Sequence, residues 1–144
     1  MKRLTLLCAL LFSVNIFAQS LSIDNPYVRA TPPHAKNSAA FLTLINNSDK
    51  TIKLVAASSD IAERVELHNH IHQDGMMKMR QVETISVLAN SSTKLQPGSY
   101  HVMFLGLKQE LNEGQVVNIK LYFDNGDEVS VKAPIKKINM QHNK

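Results

Sequence analysis

From residue 41 onward, apolar residues recur in short, partly alternating runs separated by polar punctuation. The runs are "FLTLINN" (41–47), "TIKLVAASS" (51–59), "RVELHNH" (64–70), "MKMRQV" (77–82), "ETISVL" (83–88), "STKL" (92–95), "YHVMFLGL" (100–107), "QVVNIKLYF" (115–123) and "EVSVKAP" (128–134). Alternation with period two over such lengths predicts half-buried strands. The breaks carry turn chemistry: Asn47-Ser48-Asp49, Asp74-Gly75, Pro97-Gly98, Glu113-Gly114 and Asn125-Gly126. No apolar period of 3.6 persists for three turns between residues 60 and 130, and "SDIAERVEL" supports one helical turn at most. Eight or nine short strands predict an all-β, single-domain antiparallel β-sandwich or barrel. "ATPPHAKNSA" (30–39) reads as a Pro-containing loop across one end, with His34 in solvent.

The first residues follow a different pattern. "MKRLTLLCALLFSVNIFAQS" opens on Lys2 and Arg3, continues as an apolar run from Leu4, and offers Ala18 as a cleavage point. Ile16, two residues before Ala18, meets the small-residue rule only in part. Asn15 interrupts the run, leaving it short of the roughly 20 residues of a membrane span. The reading is a cleaved export signal over 1–18, a domain over 19–135 and a short flexible tail over 136–144. The protein is then expected in the periplasm, with no membrane-spanning segment after cleavage.

Cleavage changes the arithmetic. Without Lys2 and Arg3, 14 basic residues face 12 acidic ones, so the net charge falls from +4 to +2. No basic face with interleaved aromatics is present, so nucleic acid is not an expected partner. The single cysteine, Cys8, lies within the leader, behind a Leu7 too bulky for a lipid-attachment signal. The mature chain therefore has no thiol, in a compartment that would permit disulfides.

Against this background "ELHNHIHQDGMMKMR" (66–80) is conspicuous, holding three of the 6 histidines and three of the 6 methionines. Strand geometry puts His68, His70 and His72 opposite Val65, Leu67 and Ile71. By the same rule Met77 and Met79 share a face, as do His101 and Met103. A hairpin turning on Asp74-Gly75 sets His70 opposite Met79, with His68 one diagonal step away. Spacing alone does not choose between His68 and His70. Imidazole with thioether and no thiolate points to a soft metal, Cu(I) above all. Zinc would leave the methionines unexplained, and blue-copper electron transfer needs a cysteine. Each Met, taken singly, also fits a core-filling role, and His101 fits a satisfied core histidine.

These residues resemble the periplasmic copper chaperone family written PCu(A)C, whose signature is a His, ten residues, a Met, twenty-one residues, then His-x-Met. His68, Met79, His101 and Met103 match it without a slip, inside similar words: "VELHNH", "MKMRQV" and "LQPGSYHVMFLGLKQELNEGQVV". The resemblance runs from about Ile23 to Pro134. It implies a cupredoxin-like fold and one exposed Cu(I) site on those four residues, with His68 selected over His70. It implies a carrier rather than an enzyme. Copper would pass between it and a thioredoxin-like chaperone or an oxidase subunit, for assembly of the cytochrome oxidase copper centre. His70 and His72 depart from the pattern and leave a secondary Cu(II) site open. Met140 and His142 sit in the tail, read as a solvated end.

Two other readings compete. One is a scavenger of Cu(II) or Zn(II), or a copper-tolerance protein, using His68, His70 and His72 with the methionines as core. The other is an Ig-like adhesion or carbohydrate-binding module, which the lack of Trp and the presence of only 3 Tyr disfavour. No nucleophile elbow or paired carboxylates support catalysis.

Overall fold

The computed structural model describes residues 20–138; the expected leader (1–18) and the end of the expected tail (139–144) lie outside these residues. Among the described residues there is no helix. Ten strands follow one another: β1 Leu21–Arg29, β2 Asn37–Asn46, β3 Ile52–Ser58, β4 Ala62–Gln73, β5 Met76–Gln81, β6 Ile85–Val87, β7 Ser91–Leu95, β8 His101–Leu107, β9 Val116–Phe123 and β10 Glu128–Lys136.

They join into one sheet ordered β5-β4-β8-β2-β1-β10-β9-β3-β6, with β7 also paired to β2. All pairs are antiparallel except the short parallel contact of β1 with β10. The path curls on itself, so that β3 packs on β4 and β6 approaches β7 and β2. Inside the curl lie Leu44, Leu54, Ile85, Val102, Phe104 and Leu121, all fully buried. Alternate residues of each strand thus meet one continuous core while their neighbours face outward.

One strand and part of another depart from the expectation. "LSIDNPYVR" forms β1, although its centre, Asp24-Asn25-Pro26, reads as punctuation. The ladder with β2 shifts register between Asp24 and Tyr27, and Asn25 takes φ 47°, so a bulge absorbs the Asn-Pro step. β2 begins at Asn37, so the loop expected over 30–39 ends three residues early. His34 is exposed as expected. The helical turn allowed at residues 60–61 is only a turn.

The junction of β7 and β8 positions the site. Both strands pair with β2 on the same side, β7 against Leu42–Asn46 and β8 against Asn37–Ala40. The chain between them is therefore pushed out of the sheet. It closes as a turn in which the Ser99 N–H donates to the Gln96 carbonyl over 3.0 Å. Pro97 fits the second position and Gly98, at φ 82°, the third, where a side chain would be strained.

Candidate metal centre

Register arranges the outer face of β1, β2, β8, β4 and β5 in rows. The β4–β8 ladder sets His68 against His101 and Glu66 against Met103. The β4–β5 ladder sets His70 against Met79 and His68 against Gln81. Asp74 and Gly75, at φ 55° and 73°, form the two-residue turn, so the hairpin register is the one their spacing predicts. Phe41 extends the His101 row, with ring centroids 6.2 Å apart, and Tyr27 stacks on Phe41 at 5.2 Å.

The methionines are not in the core. Met76, Met77 and Met79 are 59%, 56% and 44% exposed. Met103 is half-buried, pointing away from the core that takes its neighbours Val102 and Phe104. A core-filling account of these side chains is thereby removed, and with it the main motive for a histidine-only site.

His101 is buried, at 2% exposure, yet on the outer face. Phe41, the Gln96–Tyr100 turn and the neighbouring imidazoles enclose it. Its Nδ1–H donates to the Ser99 carbonyl over 2.9 Å. That bond fixes the tautomer and leaves the Nε2 lone pair bare. Burial pushes its pKa below the ordinary 6.5; the Ser99 carbonyl opposes this, and the nearby His70 and His68 add to it. The ring is thus held neutral at physiological pH.

His68 is organised in the reverse sense. Its Nε2 lies 2.8 Å from Glu66 Oε2, and Arg64 approaches the other carboxylate oxygen at 3.4 Å. With Nε2–H donated to Glu66, His68 Nδ1 carries the lone pair. Among the described residues, three buried side-chain nitrogens or oxygens lack a hydrogen-bond partner, and His68 Nδ1 and His101 Nε2 are two of them. An unpaired buried polar atom costs about 1–3 kcal/mol, so both nitrogens suit a partner other than hydrogen.

Beside them a cleft of about 290 Å³ is lined by His70, Met79, His101 and Met103, with Phe41 and Pro97 among its walls. His68 does not line the cleft but adjoins it, its ring 5.7 Å from that of His101; His70 is 5.1 Å from the same ring. His70 Nδ1 sits 3.4 Å from the Ser99 carbonyl. The fold thus brings His101, Met103, Met79 and both candidate histidines together, while His72 lies one row further out. Among the described residues, no three His, Cys, Asp or Glu side chains are grouped to hold a metal.

Glu66, Ser99 and Phe41 were not among the residues expected at the site. Glu66, two residues before His68 on a strand, was recoverable from period two. The Pro97-Gly98 turn gave no sign that its next carbonyl would meet His101, and Phe41 looked like any apolar strand residue.

A family model described as "Putative lipoprotein LpqE-like" matches residues 21–135. The chain belongs to the LpqE-like family. Curated relatives of this LpqE-like chain include the "Putative lipoprotein Lxx21020" of Leifsonia xyli subsp. xyli, 29% identical over 120 residues, covering 83% of this chain and 71% of that one. The "Uncharacterized protein RP573" of Rickettsia prowazekii is 34% identical over 104 residues, 72% of this chain; the match spans 58% of the relative's length. Among solved structures, CuI-DR1885 from Deinococcus radiodurans is 38% identical, with TM-score 0.68, covering 83% of this chain and 82% of that chain. The copper-bound PCuAC domain from PmoF2, 18% identical with TM-score 0.70 over 83% of this chain and 95% of that one, shares the fold. The LpqE-like chain is all-β and cupredoxin-like, as expected.

Proposed function

We propose that the protein is an exported copper carrier that binds one Cu(I) through His68, Met79, His101 and Met103 and passes it to another protein. The observation that carries this reading is the pair of partnerless buried nitrogens, His68 Nδ1 and His101 Nε2, on directly paired residues beside a cleft lined by two thioethers. Two neutral imidazoles and two thioethers form a soft, thiol-free donor set suited to Cu(I). The copper named in the CuI-DR1885 and PmoF2 structures supports the same metal. His68 is preferred to His70 because its second nitrogen is already anchored by a carboxylate, the usual way a metal-binding imidazole is oriented.

Exposure supports carriage rather than storage. Met79 lies on the edge strand β5 and is 44% exposed, so an incoming ligand has direct access to that side of the ion. No helix among the described residues is long and apolar enough to cross a membrane. Export through a leader at residues 1–18 is supported by the lipoprotein names of the family and of the Leifsonia relative. A recipient in oxidase assembly, reached with a thioredoxin-like partner, belongs to the same proposal.

The deciding experiment is an anaerobic Cu(I) titration of residues 19–144 against a colorimetric competitor. One retained equivalent, lost in Met79→Leu/Met103→Leu but kept in His70→Ala/His72→Ala, is expected. Retention unchanged by the methionine substitutions, with loss in the histidine pair, would overturn the reading in favour of a Cu(II) or zinc scavenger.

A further inference from the structure

One row beyond His70 and Met79, the β4–β5 ladder pairs His72 with Met77. Residues two apart on a strand lie about 7 Å apart, so this row is separate from the cleft. His72 Nδ1 and Met77 Sδ are 3.4 Å apart, and both side chains are exposed, Met77 to 56%. Both belong to the face that carries His68, His70 and Met79, since each is offset from these by an even number of residues.

That separation has a chemical meaning. A metal bound at about 2.0–2.1 Å to an imidazole nitrogen and about 2.3 Å to a sulfur, at angles between tetrahedral and trigonal, sets the two donors roughly 3.5–3.8 Å apart. At 3.4 Å the pair stands just short of this bite, so a small side-chain shift would admit the ion. Directly opposed strand positions hold it there, and the tight Asp74-Gly75 turn two residues away fixes the register. A thioether excludes hard cations and selects Cu(I) or its analogue Ag(I). With only two donors, such a site leaves coordination positions open and exchanges readily.

We propose that His72 and Met77 form a second, outer Cu(I) site at the tip of the β4–β5 hairpin. His72 coordinates through the Nδ1 lone pair while its proton resides on Nε2, and the metal keeps its oxidation state. The site is weaker than the four-residue set and fills after it. Its existence does not depend on which histidine serves the cleft.

The test is NMR of the full mature chain with methyl-labelled methionine, titrated with Ag(I) as a redox-inert probe, the Met77 signal being assigned through Met77→Leu. The expected result is that the first equivalent moves the Met79 and Met103 methyls and the second moves Met77 together with the His72 ring. His72→Ala should abolish the Met77 shift and leave the Met79 and Met103 shifts intact. A Met77 methyl that stays in place through two equivalents, or moves equally in His72→Ala, would overturn the outer site and reduce the pair to an N–H···S contact. Stationary Met79 and Met103 methyls would refute the cleft reading separately, because Met77 alone reports on the outer pair.

Discussion

Two histidines presenting opposite nitrogens are the central residue-scale feature. Glu66 takes the Nε2–H of His68, whereas the Ser99 carbonyl takes the Nδ1–H of His101. Each neighbour decides which lone pair is bare. Glu66→Leu should therefore weaken Cu(I) binding about 10- to 100-fold, the usual cost of losing such an orienting partner. Glu66→Gln, which can still accept through its amide oxygen, should lose less. Competitor titrations of both variants beside Glu63→Gln, on the opposite strand face, check this; equal losses in all three would mean a general change in charge. His101 adds a pH dependence. Its folded pKa lies below the ordinary 6.5, chiefly through burial, so the unfolded chain binds the proton more readily. Its contribution to stability is whole above that ordinary value and is lost as pH falls below it toward the folded pKa. Urea unfolding of the metal-free protein at pH 7.5 and 5.5 should show a larger acid loss in wild type than in His101→Gln. An equal loss would place the acid sensitivity elsewhere.

At the scale of elements, the hairpin β4–β5 makes the site possible, and its turn determines which side chains meet. Asp74 and Gly75 both occupy the left-handed region. Gly75→Val puts a β-branched side chain there at a cost of about 1–2 kcal/mol, with open space around it, so the strain is purely backbone. The expected outcome is faster amide exchange across β4 and β5, normal protection in β9 and β10, and weaker Cu(I) retention through Met79. Unchanged exchange in β5 would show that the strand is held by something other than its turn. This hairpin was legible from sequence because turn chemistry and alternation agree. β1 was not, because Asp24-Asn25-Pro26 is turn chemistry spent on a bulge inside a strand. The His and Met positions were legible for the same reason as the hairpin. Their surroundings were not, because Ser99 and Phe41 reach His101 only through the pairing of β7 and β8 with one side of β2. That is a long-range fact, and period-two patterns carry only local ones.

For the whole molecule, the proposed metal would tie together three neighbouring strands at one end of the sheet path. β5 is the terminal strand, and β4 and β8 follow it. His68, Met79, His101 and Met103 draw on these three strands and none beyond them. The core side of the same strands is already anchored through Leu67, Val102 and Phe104, each nearly or fully buried. β5 has no such anchor, since five of its six residues are exposed. Metal should therefore stabilise the edge most, while global stability rises by mass action because the unfolded chain does not preserve the four-residue geometry. At free Cu(I) 100-fold above the dissociation constant this amounts to about 2.7 kcal/mol, or roughly 10 °C in Tm for a domain of this size. Anaerobic calorimetry with and without Cu(I) measures the shift, and hydrogen exchange shows where protection is gained. Met79→Leu should remove most of the protection gained in β5 while leaving the metal-free Tm close to wild type, because an exposed side chain contributes little packing. A Cu(I)-dependent gain in β9 and β10 instead, far along the sheet from β5, would place the metal outside this face.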